Sequence, residues 1–261
     1  MTFFIFSSST ILTNVINIET SVEAKSTSSS MHRYHAEKSS DIQVKESTTT
    51  NGEFLLKKTT NPIYLTFDDG PTEYTKAILK ILDSYQVQST FFMLGTNVVK
   101  QPEIVKAVSD SGHTVGCHGV THQLSAFYKN ATSPREEMEA CSRAVQDITG
   151  KAVQIVRVPF GSVPHLSKEQ KAELESGQFI VWDWNVDSKD WSVDSANEMV
   201  KVVLNQVHRL KEKEITPVLL FHDKALTVDS LPAIIENLQG SGYEFLPITL
   251  EEEPLQFNLR K

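Results

Sequence analysis

The sequence predicts an α/β fold, and within that class a (β/α) barrel of about seven units, complete or incomplete, in preference to an open doubly wound sheet. After Pro62, short apolar runs alternate with longer amphipathic runs, which is the pattern of βα units around a mostly parallel sheet. About seven such units fit into one domain. Polar residues that can bind metals or transfer protons follow several of the apolar runs, as they do at the carboxyl end of the strands in a barrel enzyme.

The predicted strands are the short apolar runs, and the helices fill the intervals between them. Two of the helices are predicted to begin with capping boxes, because Ser133 is followed by Glu136 and Ser167 is followed by Gln170 at the required spacing. Four glycines are predicted to end helices in the left-handed conformation: Gly112, Gly150, Gly177 and Gly242. The predicted strands are residues 63–67, 90–94, 114–117, 154–158, 179–184, 217–221 and 243–246.

The chain begins with a hydrophobic segment and a polar one. Residues 1–24 are apolar with polar interruptions, and Val22-Glu23-Ala24 resembles a small-residue cleavage site, although no Lys or Arg precedes Lys25. We interpret this segment as an export signal, which predicts a secreted or cell-surface protein. The interruptions argue against a stable membrane span. Residues 25–60, rich in Ser and Thr, are predicted to be a flexible spacer, residues 61–250 the catalytic domain, and residues 251–261 a C-terminal tail.

The charge of the chain limits its partners. The formal net charge is -8 at pH 7, so no basic stripe is available to neutralise phosphates, and nucleic acid is not an expected partner. Neutral polymers and small molecules remain open.

Cys117 and Cys141 are the two cysteines of the sequence. They could form a disulfide if the protein is exported. The alternative, two small buried residues that are not bonded, is the one we favour here, because spacing in sequence says nothing about distance in space.

Two pairs of polar residues indicate a metal hydrolase. Asp68 and Asp69 close the first apolar run, where adjacent buried carboxylates are tolerated only if a cation or strong donor compensates them. His118 and His122 are spaced so that both imidazoles can lie on one side of a turn. Asp69, His118 and His122 together fit a divalent metal site with positions left for water and substrate. Asp68 is then free to handle a proton.

Further candidates follow later strands. Arg157 precedes a Pro and a Gly, and its guanidinium could hold Asp68 in a bidentate ion pair. His222 follows a buried apolar run; it could be a core histidine, but an Asp such as Asp190 nearby would raise its pKa and make it an acid. Trp191 and Leu220 could line a small apolar pocket.

These motifs, in this order, resemble the polysaccharide deacetylase (NodB homology) family, carbohydrate esterase family four. The resemblance spans about residues 62–247 and is carried by Thr-Phe-Asp-Asp-Gly-Pro, His-x-x-x-His, Arg-x-Pro-x-Gly, Asp-x-x-Asp-Trp and Leu-x-His. It implies a deformed (β/α) barrel, a divalent metal of the zinc or cobalt type, and hydrolysis of acetyl groups on a polysaccharide. Peptidoglycan is the favoured substrate, with chitin oligomers or acetylxylan as alternatives.

The resemblance also implies roles for individual residues. Asp68 would be the general base and His222 the general acid, with Arg157 tethering the first and Asp190 tuning the second. The metal ligands would be Asp69, His118 and His122. Trp191 and Leu220 would hold the acetyl methyl, and the N–H of Phe160 would stabilise the oxyanion.

The sequence departs from the family pattern at two positions. Gly119 replaces a Ser or Thr whose hydroxyl could brace the histidine loop, and Phe160 replaces the commoner Tyr. Three alternative functions stay open at this point: an amidase for non-carbohydrate substrates on the same fold, a two-histidine, one-carboxylate iron oxygenase, and a carbohydrate-binding protein without activity.

Overall fold

The computed structural model describes residues 61–258. The predicted export signal in residues 1–24 and the predicted spacer in residues 25–60 lie outside the described residues, as do residues 259–261. Within the described part of the chain, no helix combines the length and the apolar character needed to cross a membrane.

Strands and helices alternate along the described chain. The strands are β1 (Pro62–Asp68), β2 (Thr90–Met93), β3 (Thr114–Cys117), β4 (Ile155–Val156), β5 (Ile180–Val181), β6 (Val186–Asp187), β7 (Val218–His222) and β8 (Glu244–Leu246). The helices are α1 (Thr75–Ser84), α2 (Gly95–Lys100), α3 (Pro102–Asp110), α4 (Leu124–Phe127), α5 (Ser133–Thr149), α6 (Lys168–Ser176), α7 (Ala196–Lys211) and α8 (Ala225–Gly240).

The strands form one parallel sheet in the order β5-β4-β3-β2-β1-β7-β6, and β8 pairs with the beginning of β1. The strands at the two ends of this order, β5 and β6, are not paired with each other. The sheet is therefore a curled half-barrel flanked by helices, which confirms the prediction of an α/β protein with a deformed (β/α) barrel. All seven predicted strands are present. The two-residue strand β6 was not predicted, because Val186–Asp187 is too short to form an apolar run.

Strand β1 explains how the core and the site are separated. Its side chains alternate between the two faces of the sheet. Ile63, Leu65 and Phe67 join the large core between the sheet and the helices, whereas Tyr64 joins a smaller cluster inside the barrel. Asp68 shares the face of Tyr64, so the alternation that buries Phe67 against the helices directs Asp68 into the barrel.

The predicted helix boundaries are partly confirmed. Ser167 forms the expected capping box with Gln170 at the start of α6. The capping box at Ser133 is wrong, because Ser133 already belongs to α5 and its N–H donates to Oδ1 of Asn130, 2.9 Å away. The glycine predictions hold for Gly112, Gly150 and Gly242, which have positive φ, but not for Gly177, whose φ is -79°.

Cys117 and Cys141 form a disulfide, so the preference for two unbonded cysteines was wrong. Both are fully buried, as expected. Helix α5 packs against β3, and this contact brings the two thiols together although 24 residues separate them in sequence. The disulfide therefore ties α5 to the last residue before His118.

Candidate active site

The carboxyl ends of the strands bring the candidate residues together. Asp68 ends β1, and His222 ends β7 directly beside it, since the two residues are paired in the register of these strands. His118 follows β3 and Arg157 follows β4. The site is thus built from segments that are distant in sequence and adjacent in the sheet.

Asp69, His118 and His122 form a compact triad of ligand atoms. Oδ1 of Asp69 lies 3.7 Å from Nε2 of His118 and 3.7 Å from Nε2 of His122. One ligand atom from each residue lies within 4.8 Å of the other two. Two imidazoles and one carboxylate leave coordination positions for water and substrate, as a catalytic metal site requires.

An unpaired atom supports the fit of this triad to a cation. Oδ1 of Asp69 is buried and has no hydrogen-bond partner within residues 61–258. A buried carboxylate oxygen without a donor is costly. A divalent cation between this oxygen and the two Nε2 atoms removes the cost, so the residues fit the metal that the resemblance implies.

His118 is held as a neutral ligand. Its Nδ1–H donates to the carbonyl oxygen of Arg157 at 2.7 Å, which leaves the lone pair of Nε2 directed toward Asp69. Burial, opposed by the charge of Asp69, lowers the pKa of His118 to about 3. A neutral imidazole with its second nitrogen fixed by a backbone carbonyl is the usual arrangement of a metal-binding histidine.

Arg157 also holds Asp68. Its NH1 donates to Oδ1 of Asp68 at 2.9 Å and to Oγ1 of Thr66 at 2.6 Å. The prediction of a bidentate pair was wrong, because Nε and NH2 donate instead to the carbonyls of Trp182 and Asp183. Burial raises the pKa of Asp68 above its usual value, and the guanidinium opposes this rise. A carboxylate with a raised pKa accepts a proton more readily near neutral pH.

His222 is paired with Asp190 on the other side of the site. Its Nδ1–H donates to Oδ1 of Asp190 at 2.7 Å, and its backbone N–H donates to Oδ2 at 2.6 Å. The hydroxyl of Thr227 also donates to Oδ2, at 3.1 Å. Burial alone lowers the pKa of His222, but the hydrogen bond and charge of Asp190, with the charges of Asp68 and Asp69, outweigh it and raise this pKa. His222 is therefore suited to hold a proton on Nε2.

Comparison with known proteins identifies the family. The polysaccharide deacetylase family matches residues 56–177 of the chain. The peptidoglycan-N-acetylglucosamine deacetylase of Bacillus cereus is 36% identical over 189 residues, which are 70% of this chain and 67% of that protein. The chain belongs to the polysaccharide deacetylase family.

Two further comparisons agree with this membership. YheN of Bacillus subtilis (strain 168), provisionally named as a polysaccharide deacetylase, is 40% identical over 185 residues, 70% of this chain and 65% of that protein. The crystal structure of the polysaccharide deacetylase Bc1974 from Bacillus cereus has a TM-score of 0.71 and 35% identity, and the match covers 76% of this chain and 97% of that one. The chain spans about two thirds of the length of the two sequence relatives.

In this polysaccharide deacetylase, the histidine loop, which carries His118 and His122, is supported by other residues although Gly119 has no hydroxyl. Oε2 of Glu137 accepts from the N–H of Val120 at 2.8 Å, and the hydroxyl of Thr96 donates to the carbonyl of Val120 at 3.0 Å. Gly119 has a φ of 83°, and a Cβ there would lie 3.0 Å from the ring of Phe127. Position 119 therefore favours glycine, and residues of α2 and α5 supply the support.

Three non-glycine residues of the site have left-handed backbone conformations, namely Asp69 with φ 71°, His122 with φ 57° and Phe160 with φ 65°. Such residues cost about 1–3 kcal/mol each and persist where the surroundings hold them. Two of the three carry predicted metal ligands, and the third carries the predicted oxyanion donor.

Of the predicted substrate-binding residues, Phe160 contacts a predicted metal ligand and Leu220 lies on the strand that ends with His222. Phe160 is 48% exposed, and its ring centroid lies 4.4 Å from that of His122. Its N–H donates no hydrogen bond to another described residue. Trp191 is 58% exposed, whereas Leu220 is buried and shares a face of β7 with His222 through the alternation of that strand.

Sequence reasoning missed several residues of the site. Thr66 receives a hydrogen bond from Arg157 inside the barrel, and Glu137 braces the histidine loop from α5. Thr66 belongs to the Thr-Phe-Asp-Asp-Gly-Pro motif but was given no role, and Glu137 belongs to no motif that we recognised. Asp187, the first residue of the Asp-x-x-Asp-Trp motif, pairs with Lys189 and bonds to Gln206.

Proposed function

We propose that the protein is a metal-dependent hydrolase that removes N-acetyl groups from a cell-wall polysaccharide, with peptidoglycan as the favoured substrate. One observation carries the proposal. The Asp68 carboxylate, whose pKa is raised, and the His222 imidazole, whose pKa is also raised, end neighbouring strands next to a triad suited to a divalent cation. The relative from Bacillus cereus is named for this activity on peptidoglycan.

The cation proposed for the triad is Zn²⁺, with Co²⁺ as the alternative. Asp69, His118 and His122 would hold it. When bound, such a cation acidifies water and polarises the carbonyl of the acetyl group. Nitrogen and oxygen ligands of this kind suit both metals.

The residues of the chain divide the reaction between them. Asp68 would accept the proton of the attacking water while Arg157 keeps it oriented. The free N–H of Phe160 would donate to the oxygen that becomes negative during attack. His222 would then protonate the amine so that it can leave, and Asp190 would stabilise the histidine before that transfer. Trp191 and Leu220 would hold the methyl of the acetyl group.

The proposed location is outside the cytoplasm, in a secreted or cell-surface form. Peptidoglycan lies there. The disulfide between Cys117 and Cys141 supports this location, because disulfides persist in oxidising compartments and are rare in the cytosol.

The test is release of acetate from peptidoglycan, chitin oligomers and acetylxylan, each with Zn²⁺, with Co²⁺, and after treatment with a chelator. We expect release from peptidoglycan that chelator abolishes and metal restores. Asp68→Asn should reduce turnover by at least about 10²-fold. Asp110→Asn is the matched control, because Asp110 is an exposed carboxylate of α3 that pairs with Lys106.

The choice of polymer is decided by the same experiment. Faster release from chitin oligomers or acetylxylan than from peptidoglycan would reassign the substrate while keeping the reaction class. Absence of acetate from all three substrates in the metal-loaded protein would contradict the proposal.

A further inference from the structure

Asp223 is a buried carboxylate that the proposed reaction does not use. It follows His222 directly and is 4% exposed. It lies against residues of the turn after β1, the turn that carries Asp69. The sequence motifs assigned no role to Asp223 itself.

The contacts of Asp223 form a closed network between two strand ends and a helix. The hydroxyl of Thr75, the first residue of α1, donates to Oδ2 of Asp223. The same Thr75 hydroxyl oxygen accepts from the N–H of Thr72 at 2.8 Å. The hydroxyl of Thr72 donates to the carbonyl of Asp223 at 3.0 Å. Thr75 is fully buried, so its hydrogen bond to Asp223 is shielded from solvent.

The carboxylate also packs against the backbone beside a predicted metal ligand. A Cβ placed on Gly70 would lie 2.5 Å from Oδ2 of Asp223. Gly70 follows Asp69, whose φ is 71°. The turn and the Asp223 side chain therefore fit together only because position 70 has no side chain.

The sheet alone holds Asp68 beside His222 but does not hold Asp69. Pairing of β1 with β7 ends at Asp68 and His222, so Asp69, Gly70 and Asp223 lie beyond the last pair. Their separation is set by the contacts of Asp223 with Thr72 and Thr75, and by the hydrogen bond from Asn97 to the carbonyl of Asp69 at 2.8 Å.

Burying the carboxylate of Asp223 is energetically unfavourable for a contact that serves structure alone. Its Oδ1 is buried and has no hydrogen-bond partner among the described residues. A buried carboxylate with few donors costs stability, and an apolar or neutral residue would fill the space at lower cost. A position that carries this cost beside a reaction centre is a candidate for function.

We propose that Asp223 is a positioning residue, which fixes the turn that follows Asp68 and carries Asp69 relative to His222 through its contacts with Thr75, Thr72 and Gly70. The proposal rests on the proposed function for its kinetic readout only. It also predicts an effect on metal binding, because Asp69 lies in the turn that Asp223 holds.

The experiment compares Asp223→Ala, Asp223→Asn, Thr75→Val, Thr75→Ser and the double variant Asp223→Ala/Thr75→Val in the full chain. Each variant is measured for Zn²⁺ affinity by competition with a chromophoric chelator, for kcat and KM of acetate release, and for folded fraction by thermal melting. Thr149→Val is the matched control, because the Thr149 hydroxyl bonds to a carbonyl within α5, away from this network.

We expect Asp223→Ala and Thr75→Val each to weaken Zn²⁺ binding about tenfold and to lower kcat per folded molecule about 10- to 100-fold, with little change in KM. The double variant should lose little more than either single variant, because both remove the same bond. Thr75→Ser should restore most of the loss, and Asp223→Asn, which keeps an acceptor for Thr75, should lie between.

Two results would overturn the positioning role. One is wild-type Zn²⁺ affinity and kcat in folded Asp223→Ala or folded Thr75→Val. The other is full additivity of the two losses. If the wild-type protein binds Zn²⁺ but releases no acetate, the proposed function fails, and the Zn²⁺ affinities still decide whether Asp223 positions Asp69.

Discussion

The two sides of the candidate site hold their histidines in opposite ways. His118 is buried and donates its Nδ1–H to a neutral backbone carbonyl, and its pKa is lowered to about 3. His222 donates its Nδ1–H to the carboxylate of Asp190, and its pKa is raised. The hydrogen-bond distance is 2.7 Å in both cases.

The difference shows that burial decides the direction of the pKa shift where the partner of Nδ1 is a neutral carbonyl, whereas a carboxylate partner, with the neighbouring carboxylates, outweighs burial. The carbonyl of Arg157 fixes the ring of His118, and burial lowers its pKa more than this hydrogen bond raises it, so Nε2 of His118 keeps its lone pair for a cation. A carboxylate fixes the ring and favours the imidazolium, so Nε2 of His222 keeps a proton. One residue type is therefore suited to be a metal ligand on one side and an acid on the other.

The largest expected effects come from removing each ring in turn. We expect His118→Ala to lose both Zn²⁺ affinity and acetate release, each by more than about 10²-fold. His222→Ala should lose a similar factor in kcat but retain Zn²⁺ affinity within about threefold. Chelator competition and acetate release, measured on the same samples, separate the two outcomes. Loss of Zn²⁺ from His222→Ala would contradict the division of roles.

Changing the partner of His222 should have a smaller effect. Asp190→Asn keeps an acceptor for Nδ1–H but removes the charge that raises the pKa of His222. Since the protonated histidine is the active form, activity falls as pH rises through this pKa, and the variant should lose activity at a lower pH than wild type. At pH 8 we expect a reduction of about tenfold. An unchanged basic limb of the pH profile of kcat would exclude His222 as the group that titrates there.

Reducing the disulfide tests the side of the site that carries His118 separately from the side that carries His222. The disulfide closes a loop of 24 residues next to His118, so its reduction should lower the free energy of unfolding by about 2–4 kcal/mol. The effect on Zn²⁺ affinity should exceed the effect on the pH profile, because the disulfide contacts β3 and not β7. Denaturant unfolding and chelator competition, with and without reductant, measure both. Asp190→Asn in the oxidised protein provides the opposite pattern for comparison.

The smallest expected effect concerns the brace of the histidine loop. Glu137→Gln keeps the size of the side chain but replaces a charged acceptor for the N–H of Val120 with a neutral one. We expect Zn²⁺ affinity to fall by about two- to fivefold, with kcat at saturating Zn²⁺ unchanged. Glu136→Gln, on the same helix and bonded to Thr132 instead, is the matched control. A loss of kcat that excess Zn²⁺ does not restore would show that the brace acts beyond metal binding.

The sequence predicted the sheet well because strand formation here follows apolar runs. Strand β6 was not predicted because it has two residues. The start of α5 was misplaced because Oδ1 of Asn130, outside the helix, accepts from the N–H of Ser133, which the side chain of Glu136 was expected to satisfy. Such local competition between neighbouring polar side chains leaves no periodic pattern.

The site was predictable where side chains carry the chemistry and unpredictable where the backbone does. Asp68, Asp69, His118, His122 and His222 lie together as their strand-end positions indicated. The carbonyl that orients His118 has no sequence signature, since every residue has one. The contacts of Asp223 and Glu137 join segments distant in sequence, and only the fold brings them together.

Arg157 contacts both the predicted metal ligand His118 and the proposed base Asp68, through two different parts of the residue. Its carbonyl orients His118, and its guanidinium holds Asp68. Substitution at position 157 replaces the guanidinium but leaves the carbonyl in the chain. The side chain beside Asp68 can therefore change during evolution, while the carbonyl that orients His118 is present whichever residue occupies position 157.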